Sequence, residues 1–303
     1  MSATAIAGRR AKAKASGGGH SDPNPAKAGV LTKGTLIFVC FLWVVPTFGL
    51  LVTSFRPLDD ANSSGWWTLI SHPSRIGNLT TSNYSDAISG AHLGTAFVNS
   101  VAIALPATFI PILIAAFAAY AFTFMEFKGR DFLFLLIVSL LVIPNYVAFV
   151  PILSFYKNIG LHGFATVWLA HIGFGLSLAI YILRNYMNTL PRSVIESAKI
   201  DGASHFQTFY KLVLPMSVPA LASFAIFQFL WVWNDLLVAL VFIGPGPNAP
   251  ITVALKNNLL GQGNSGWNLV TAGGLFSMIV PLAVFLALQR FFVRGLTAGA
   301  VKG

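Results

Sequence analysis

Six stretches of this chain stay apolar for longer than the interior of a soluble protein of this size can hide. They fall near residues 34–55, 97–125, 132–155, 164–186, 219–243 and 269–293, and each supplies the ~20 residues with which a helix crosses a bilayer core. In hydrocarbon every backbone N–H and C=O has to be paired within its own segment, so runs of this length become helices. The composition agrees, with 55% hydrophobic residues, 9% charged residues and a mean hydropathy of +0.73. The expected fold is therefore all-α, a single polytopic membrane domain of six transmembrane helices over residues 34–293. Pro46, Pro106, Pro111, Pro144, Pro151 and Pro281 lie inside these runs, where a bundle accommodates kinks that water would not.

What lies between the runs sets the orientation. Fifteen of the 19 Lys and Arg residues fall in the first 33 residues, in 126–131, in 184–218 or from Arg290 onward, and only Arg56, Arg75, Lys157 and Lys256 lie on the other side. That excess places both termini and the long central loop in the cytoplasm. Residues 1–33 carry Arg9, Arg10, Lys12, Lys14, Lys27 and Lys33 in an Ala, Gly and Ser background without hydrophobic period, which reads as a disordered basic tail. They lack the apolar centre of a cleaved signal peptide. The formal charge of +10 is explained by this topology together with attraction to the lipid of an anionic inner leaflet, and the absence of aromatic interleaving argues against nucleic acid as a partner. Cys40, the one cysteine, rules out an intramolecular disulfide and a cysteine-cluster metal site, and reads as a small buried hydrophobe. There is no metal-ligand spacing, no catalytic carboxylate pair and no phosphate-binding glycine loop.

One segment breaks the apolar pattern for some thirty residues, and it contains "ESAKIDGASHFQTFYKLVLP", Glu196 to Pro215. Ser193-Val194-Ile195-Glu196 has capping-box spacing just after Pro191, so a short helix is expected to start there and run to about Asp201. Ile195 and Ala198 share one face of it, Lys199 lies elsewhere, and Gly202 permits a bend before a second short helix toward Leu214 and Pro215. The product is an elbow outside the membrane, over residues 191–215. Small residues at Ser197, Ala198, Gly202, Ala203 and Ser204 leave a low-relief surface for a partner's cleft. An amphipathic helix lying at the membrane surface has the same features.

Polar residues within or beside the apolar runs are candidates for a substrate pathway: Asn145, Tyr146, Gln228, Trp231, Asn234 and Asp235, with His171 nearby. For each taken singly, bonding between helices is the commoner role than contact with a sugar, and "FQFLWVWND" suits a sugar without being diagnostic of one. An intramembrane serine protease needs a histidine base for its nucleophile, and no histidine follows His205, which leaves the sixth run without one. An ATP-independent secondary transporter or channel is the stronger alternative, because intramembrane polar residues do not reveal an energy source.

The spacing of the elbow separates these classes. Glu196-Ser197-Ala198, three residues, Gly202, nine residues and Leu212-Val213-Leu214-Pro215 resemble the cytoplasmic signature of permease subunits of ABC importers, E-A-A, three residues, G, nine residues, I-x-L-P. Ser197 and Leu212 are small departures. "IDGAS", "WVWNDLL" and the ending "QRFFVRGLTAGAVKG" are similar to the carbohydrate branch, in particular the maltose-type second permease, and "SFRPLDDANSSGWW" resembles α-glucoside permeases within it. The resemblance implies a type I ABC importer permease in a bacterial or archaeal cell membrane. It implies that the chain is not an enzyme but moves a di- or oligosaccharide inward using ATP hydrolysed by separate subunits. A second homologous permease, an ATPase dimer that binds ATP and Mg, and an extracytoplasmic sugar-binding protein are the implied partners, with no cofactor on this chain. Glu196, Ser197, Ala198, Asp201, Gly202, Ala203, Leu214 and Pro215 would then be the coupling surface for the ATPase. Arg294, Gly295 and Gly299, in a C-terminal tail of residues 294–303, would reach between the ATPase chains. Gly261, Gln262, Gly263 and Asn264 would form an outer loop that reaches into the binding protein and helps displace the sugar.

Overall fold

The computed structural model describes residues 29–260 and 266–298, with side chains through Gln289. All regular structure among the described residues is helical. The long helices are α1 (Val30–Ser54), α2 (Leu93–Phe124), α5 (Phe164–Met187) and α10 (Trp267–Ala298), between which lie α3 (Arg130–Ser139), α4 (Phe149–Asn158), α6 (Arg192–Ile200), α7 (His205–Thr208), α8 (Val218–Trp233) and α9 (Leu237–Phe242). Four helices are long and apolar enough to cross a membrane, and two bent pairs bring the number to as many as six.

One of the bent pairs departs from the straight runs expected. In the third run, Arg130–Val142 and Asn145–Asn158 meet at 94°. Ile143 is extended (φ −75°, ψ 122°), as the residue before a proline prefers, and Pro144 has no N–H with which to continue the helix. The other bend, 70° between His205–Met216 and Val218–Trp233, separates the elbow from the fifth run as expected, but the helix of that run ends at Trp233 rather than running to 243. Asp235 accounts for that end: its Oδ2 accepts the Ala239 N–H at 3.0 Å and so starts α9 as a separate helix. At the N-terminus the helix begins at Val30, so residues 30–33 belong to α1 and not to the expected basic tail. Residues 1–28 of that tail, and its expected disorder, lie outside the described residues. Cys40 is exposed on α1, contrary to its reading as a buried hydrophobe; apolar character in a spanning helix serves a lipid-facing position as well as a buried one.

The proline pattern explains which side chains hold the bundle together. A proline inside a helix leaves the carbonyl four residues earlier without its N–H partner. Pro106 so frees the carbonyl of Ala102, which accepts the Trp168 indole N–H at 3.0 Å. Pro111 frees that of Ala107, which accepts from Gln228 Nε2 at 3.2 Å. Pro281 frees that of Ser277, which accepts the Trp233 indole N–H at 3.1 Å. Each kink is thus repaired by a neighbouring helix, and α2, α5, α8 and α10 become cross-linked at backbone level. Packing around these bonds uses small residues that let backbones approach: Ala104, Ala107, Ala115 and Ala119 of α2 are fully buried, as is Ala179 of α5. A Cβ at Gly175 would stand 2.6 Å from the Gln228 amide, so only glycine admits Gln228 there.

Three buried clusters result among the described residues, two of them larger than the third. One joins the start of α2 to α5, α8, α9 and the short helix Ile251–Ala254 around Leu93, Val167, Trp233 and Ile251. The other joins the end of α2 to α5 and to the elbow around Ala119, Leu183, Met187, Ile195, Phe209 and Val213.

Beyond α1, Arg56 is buried, donating from Nη1 to the Ser64 carbonyl and from Nη2 to the Asp60 carbonyl, each at 2.7 Å. Burial pushes its pKa below the ordinary value, and Asp60 opposes that shift. Asn83 Nδ2 donates to the carbonyls of Ser54 and Arg56, and Asn83 Oδ1 accepts from Asn268 at 2.8 Å. These bonds fix the segment that resembles α-glucoside permeases against the start of α10.

Candidate functional site: an exposed helical elbow

Helix α6 leaves α5 through Pro191, which is extended (φ −61°, ψ 114°) and starts the helix at Arg192. Ser193 is already inside the helix, so the expected capping box with Glu196 does not form. The box belongs to the next segment. Ser204 Oγ accepts the Gln207 N–H at 3.3 Å and Gln207 Oε1 accepts the Ser204 N–H at 2.9 Å, opening α7. The same S-x-x-Q pattern was present in the sequence two residues after the glycine.

Between the two helices the chain turns through a Schellman motif. Gly202 donates to the Lys199 carbonyl at 3.1 Å, Ala203 donates to that of Ala198 at 2.9 Å, and Gly202 has φ +78°. A Cβ at Gly202 would meet nothing within 4 Å, so conformation rather than space inside this chain selects glycine. Ile195 and Ala198 are buried together, as their shared face requires. Glu196, Ser197, Lys199, Asp201 and Gly202 are exposed, Ala203 and Leu214 are half-buried, and Pro215 is exposed. The elbow therefore presents most of the signature outward, but Ala198, expected on the coupling surface, is turned inward with Ile195 because it shares that residue's helix face, and the two anchor the elbow.

Three large side chains join this surface that the sequence reading passed over. Ile200 is 86% exposed, Phe206 66% and Tyr210 62%, and the Phe206 and Tyr210 rings lie parallel with centroids 6.4 Å apart. Helical spacing carried the signal for the first: five residues after Ile195, Ile200 falls off the buried face. On the inner side the elbow is tied to two spans. Tyr120 of α2 shares a hydrogen bond of 3.1 Å with His205 Nδ1, and the Tyr186 hydroxyl of α5 donates to the Met216 carbonyl at 3.2 Å.

The six pathway candidates are not brought together. Asn145 and Trp231 line one groove of about 690 Å³ with Tyr156, Phe174 and Ser177, all on α4, α5, α8 and the bend before α4. Tyr146 is not among the residues that line it and is 67% exposed. Gln228 is fully buried and occupied by the carbonyls of Ala107 and His171. Asn234 returns its amide to the Leu230 carbonyl of its own helix at 2.8 Å. Asp235 is held by Ala239 N–H and its carbonyl accepts the Thr252 hydroxyl at 2.6 Å, while its Oδ2 stands 3.8 Å from His171 Nε2. Trp231 meets the His171 ring edge-on at 6.0 Å. Sequence reasoning missed Tyr156, Phe174 and Ser177, which become neighbours of Asn145 only through the 94° bend.

The remaining candidates are described less fully. Arg294 and Gly295 belong to the last turns of α10, which continues past the expected boundary at 293 to Ala298, and Gly299 lies outside the described residues. Gly261, Gln262, Gly263 and Asn264 also lie outside them. Among the described residues there is no group of three or more His, Cys, Asp or Glu side chains able to hold a metal.

The family model described as "binding-protein-dependent transport system inner membrane component" matches residues 111–298. The chain is 53% identical over 269 residues to the osmoprotective compounds uptake permease protein GgtD of Synechocystis, covering 88% of this chain and 90% of the relative. It is 38% identical over 378 aligned residues to the α-glucoside transport system permease protein AglG of Rhizobium meliloti, covering 92% and 100%. It is 32% identical over 282 residues to the arabinooligosaccharides transport system permease protein AraQ of Halalkalibacterium halodurans, covering 92% and 98%. A chain of the crystal structure of a bacterial alginate ABC transporter, in complex with an alginate pentasaccharide-bound periplasmic protein, shares the fold with a TM-score of 0.60. It is 15% identical, and the match covers 87% of this chain and 93% of that one.

Proposed function

Because the chain belongs to the family of binding-protein-dependent transport system inner membrane components, we propose that it is a permease subunit of an ATP-driven importer of neutral sugars, with α-glucosides or related oligosaccharides as substrate. It is a multi-pass membrane protein, and it works in a bacterial or archaeal cell membrane with both termini in the cytoplasm. A second, homologous permease completes the translocation path, a pair of ATPase chains binds ATP and Mg, and an extracytoplasmic binding protein delivers the sugar. The names of the relatives support the substrate class: one takes α-glucosides, another arabinooligosaccharides.

The observation that carries this reading is the elbow. Its signature residues face outward around a Schellman turn, Ile200, Phe206 and Tyr210 stand exposed beside them, and the opposite face is fastened to α2 and α5. A rigid lever of this kind can bias two arrangements of the bundle when the ATPase pair closes. Within the membrane, Trp231 and Asn145 in the 690 Å³ groove are the pathway residues of this reading, and Gln228 is a structural bond between helices.

The test is reconstitution of the two permeases with the ATPase pair in proteoliposomes containing ATP inside and loaded binding protein outside. Uptake of maltose, sucrose or trehalose that requires ATP and binding protein is the expected result. Uptake that proceeds at the same rate without ATP would make the chain a secondary transporter or channel instead.

A further inference from the structure

We propose that the cavity at the start of α2 is a second carbohydrate site, a reception subsite for one neutral polyhydroxyl unit, separate from the membrane groove. It takes its physiological ligand from the importer reading above, on which it rests. The cavity has a volume of about 430 Å³, enough for one or two pyranose rings, and lies at the opposite end of α2 from the elbow, ~45 Å away along a helix of this length. His92, Thr95, Asn257 and Asn258 supply its polar lining, and the chain from Pro245 to Pro247 forms a facing wall.

Three features make this a built site. Its polar groups are amides, a hydroxyl and an imidazole, with no carboxylate, ammonium or guanidinium among the lining residues. Each of these groups can both donate and accept, which is the requirement of a sugar hydroxyl. Second, Asn257 lines the cavity, and its Nδ2 is buried and without a hydrogen-bond partner among the described residues, so its amide is not committed to another group of the fold. Third, His92 is the one non-glycine residue with positive φ among those described (φ 57°, ψ 23°), and it occupies the rim. Such a conformation persists only where the surroundings impose it, and it concentrates at functional positions.

The walls are also fixed. Asn258 Nδ2 donates to the Ala91 carbonyl at 2.8 Å, and Asn99 Nδ2 donates to those of Pro247 and Ala249 at 2.8 and 3.1 Å. The Ile251 N–H donates to Ser100 Oγ at 2.8 Å. The same lining selects by charge. A quaternary ammonium such as glycine betaine needs an aromatic cage or a carboxylate, and the cavity offers neither; a sugar needs only neutral hydrogen-bonding groups.

The assembled complex of both permeases and the ATPase pair, in lipid nanodiscs without binding protein, is examined by saturation-transfer NMR with sucrose, maltose and glycine betaine as probes. Transfer to sugar ring protons and none to betaine is expected. Measured in a Trp231→Ala background, which removes the groove's contribution, Thr95→Val and Asn257→Leu should each lower the sugar signal about fivefold, the equivalent of one lost hydrogen bond. Thr95→Val is isosteric and exposed, so it tests the site even if Asn257→Leu fails to fold. No transfer in the wild type, equal transfer to betaine, or an undiminished signal for Thr95→Val in the Trp231→Ala background would each overturn the proposal. Proteoliposome uptake separates this from the importer reading: a wild type that imports sugar while Thr95→Val is unaltered in both assays removes the subsite alone, and a wild type that imports none of the sugars removes the reading.

Discussion

Gln228 of α8 donates from Nε2 to the carbonyl of Ala107 in α2, the carbonyl that Pro111 deprives of a helical partner. The two residues are 121 positions apart in sequence, yet each explains the other: a buried amide needs an acceptor, and a proline-kinked helix has one to offer. Gln228→Leu keeps the volume and leaves the carbonyl bare, and should cost about 1–3 kcal/mol. Pro111→Ala restores the N–H at that point. In the double variant the penalty of Gln228→Leu should therefore shrink to below about 1 kcal/mol, a coupling readable from thermal unfolding of the four proteins in one detergent. Equal penalties in both backgrounds would mean that Gln228 serves some other purpose.

The Schellman turn gives the elbow variants separable effects. Gly202→Ala places a Cβ in open space but forces φ +78° on a residue that resists it, at about 1–2 kcal/mol of local strain. Glu196→Lys leaves the turn alone and reverses an exposed charge. Both should leave the spans inserted and the thermal midpoint within a few degrees of wild type. ATPase retention on affinity purification should fall about tenfold or more in Glu196→Lys, and coupled uptake should fall in both. Normal retention and normal uptake in the two variants would remove the elbow from the coupling path.

What could be read from sequence was whatever depends on local period. The apolar runs, the burial of Ile195 with Ala198 and the bend at Gly202 all follow from spacing along one helix or from one residue's φ preference. The errors have a common cause in choices settled between segments. Pro144 inside an apolar run is consistent with a mild kink or a 94° break, and only the packing decides. Ser193 lost its capping role because Pro191 set the helix start at Arg192. Asp235 is one pathway candidate among six; its carboxylate is held by Ala239 N–H and its backbone carbonyl by Thr252, groups 4 and 17 residues away. Gln228 and Asn145 looked alike as isolated polar residues, and nothing local distinguishes the one that repairs a kink from the one that lines a groove.

Ile195 and Ile200 provide a comparison within one nine-residue helix. Ile195 is buried in the cluster that joins α2, α5 and the elbow, whereas Ile200 is 86% exposed. Ile195→Ala should cost about 2–5 kcal/mol in the isolated subunit, the range for a buried aliphatic residue cut to alanine. Ile200→Ser should leave the isolated subunit unchanged in stability and weaken its association with the ATPase about tenfold, as should Phe206→Ser. Thermal unfolding of the subunit and titration of the ATPase onto nanodisc-embedded permeases measure the two quantities separately. If Ile200→Ser binds the ATPase like wild type, its side chain is in contact with lipid and not with the partner.

Trp231 and Asn234 are three residues apart, and the structure assigns them to different surroundings. The Trp231 ring lines the groove with Asn145 and Phe174, where an apolar face can stack on the C–H face of a sugar ring. Asn234 spends its amide on the Leu230 carbonyl at the end of α8 and is exposed outside the groove. In the reconstituted importer Trp231→Ala should lower the rate of sugar uptake about tenfold while basal ATP hydrolysis persists, and Trp231→Phe, which keeps an aromatic face, should recover a good part of it. Asn234→Ala should stay within about twofold of wild type, since it removes only a bond within one helix turn. The reverse ranking, with Asn234 essential and Trp231 dispensable, would move the pathway out of the groove to the exposed end of α8, where Asn234 caps the helix.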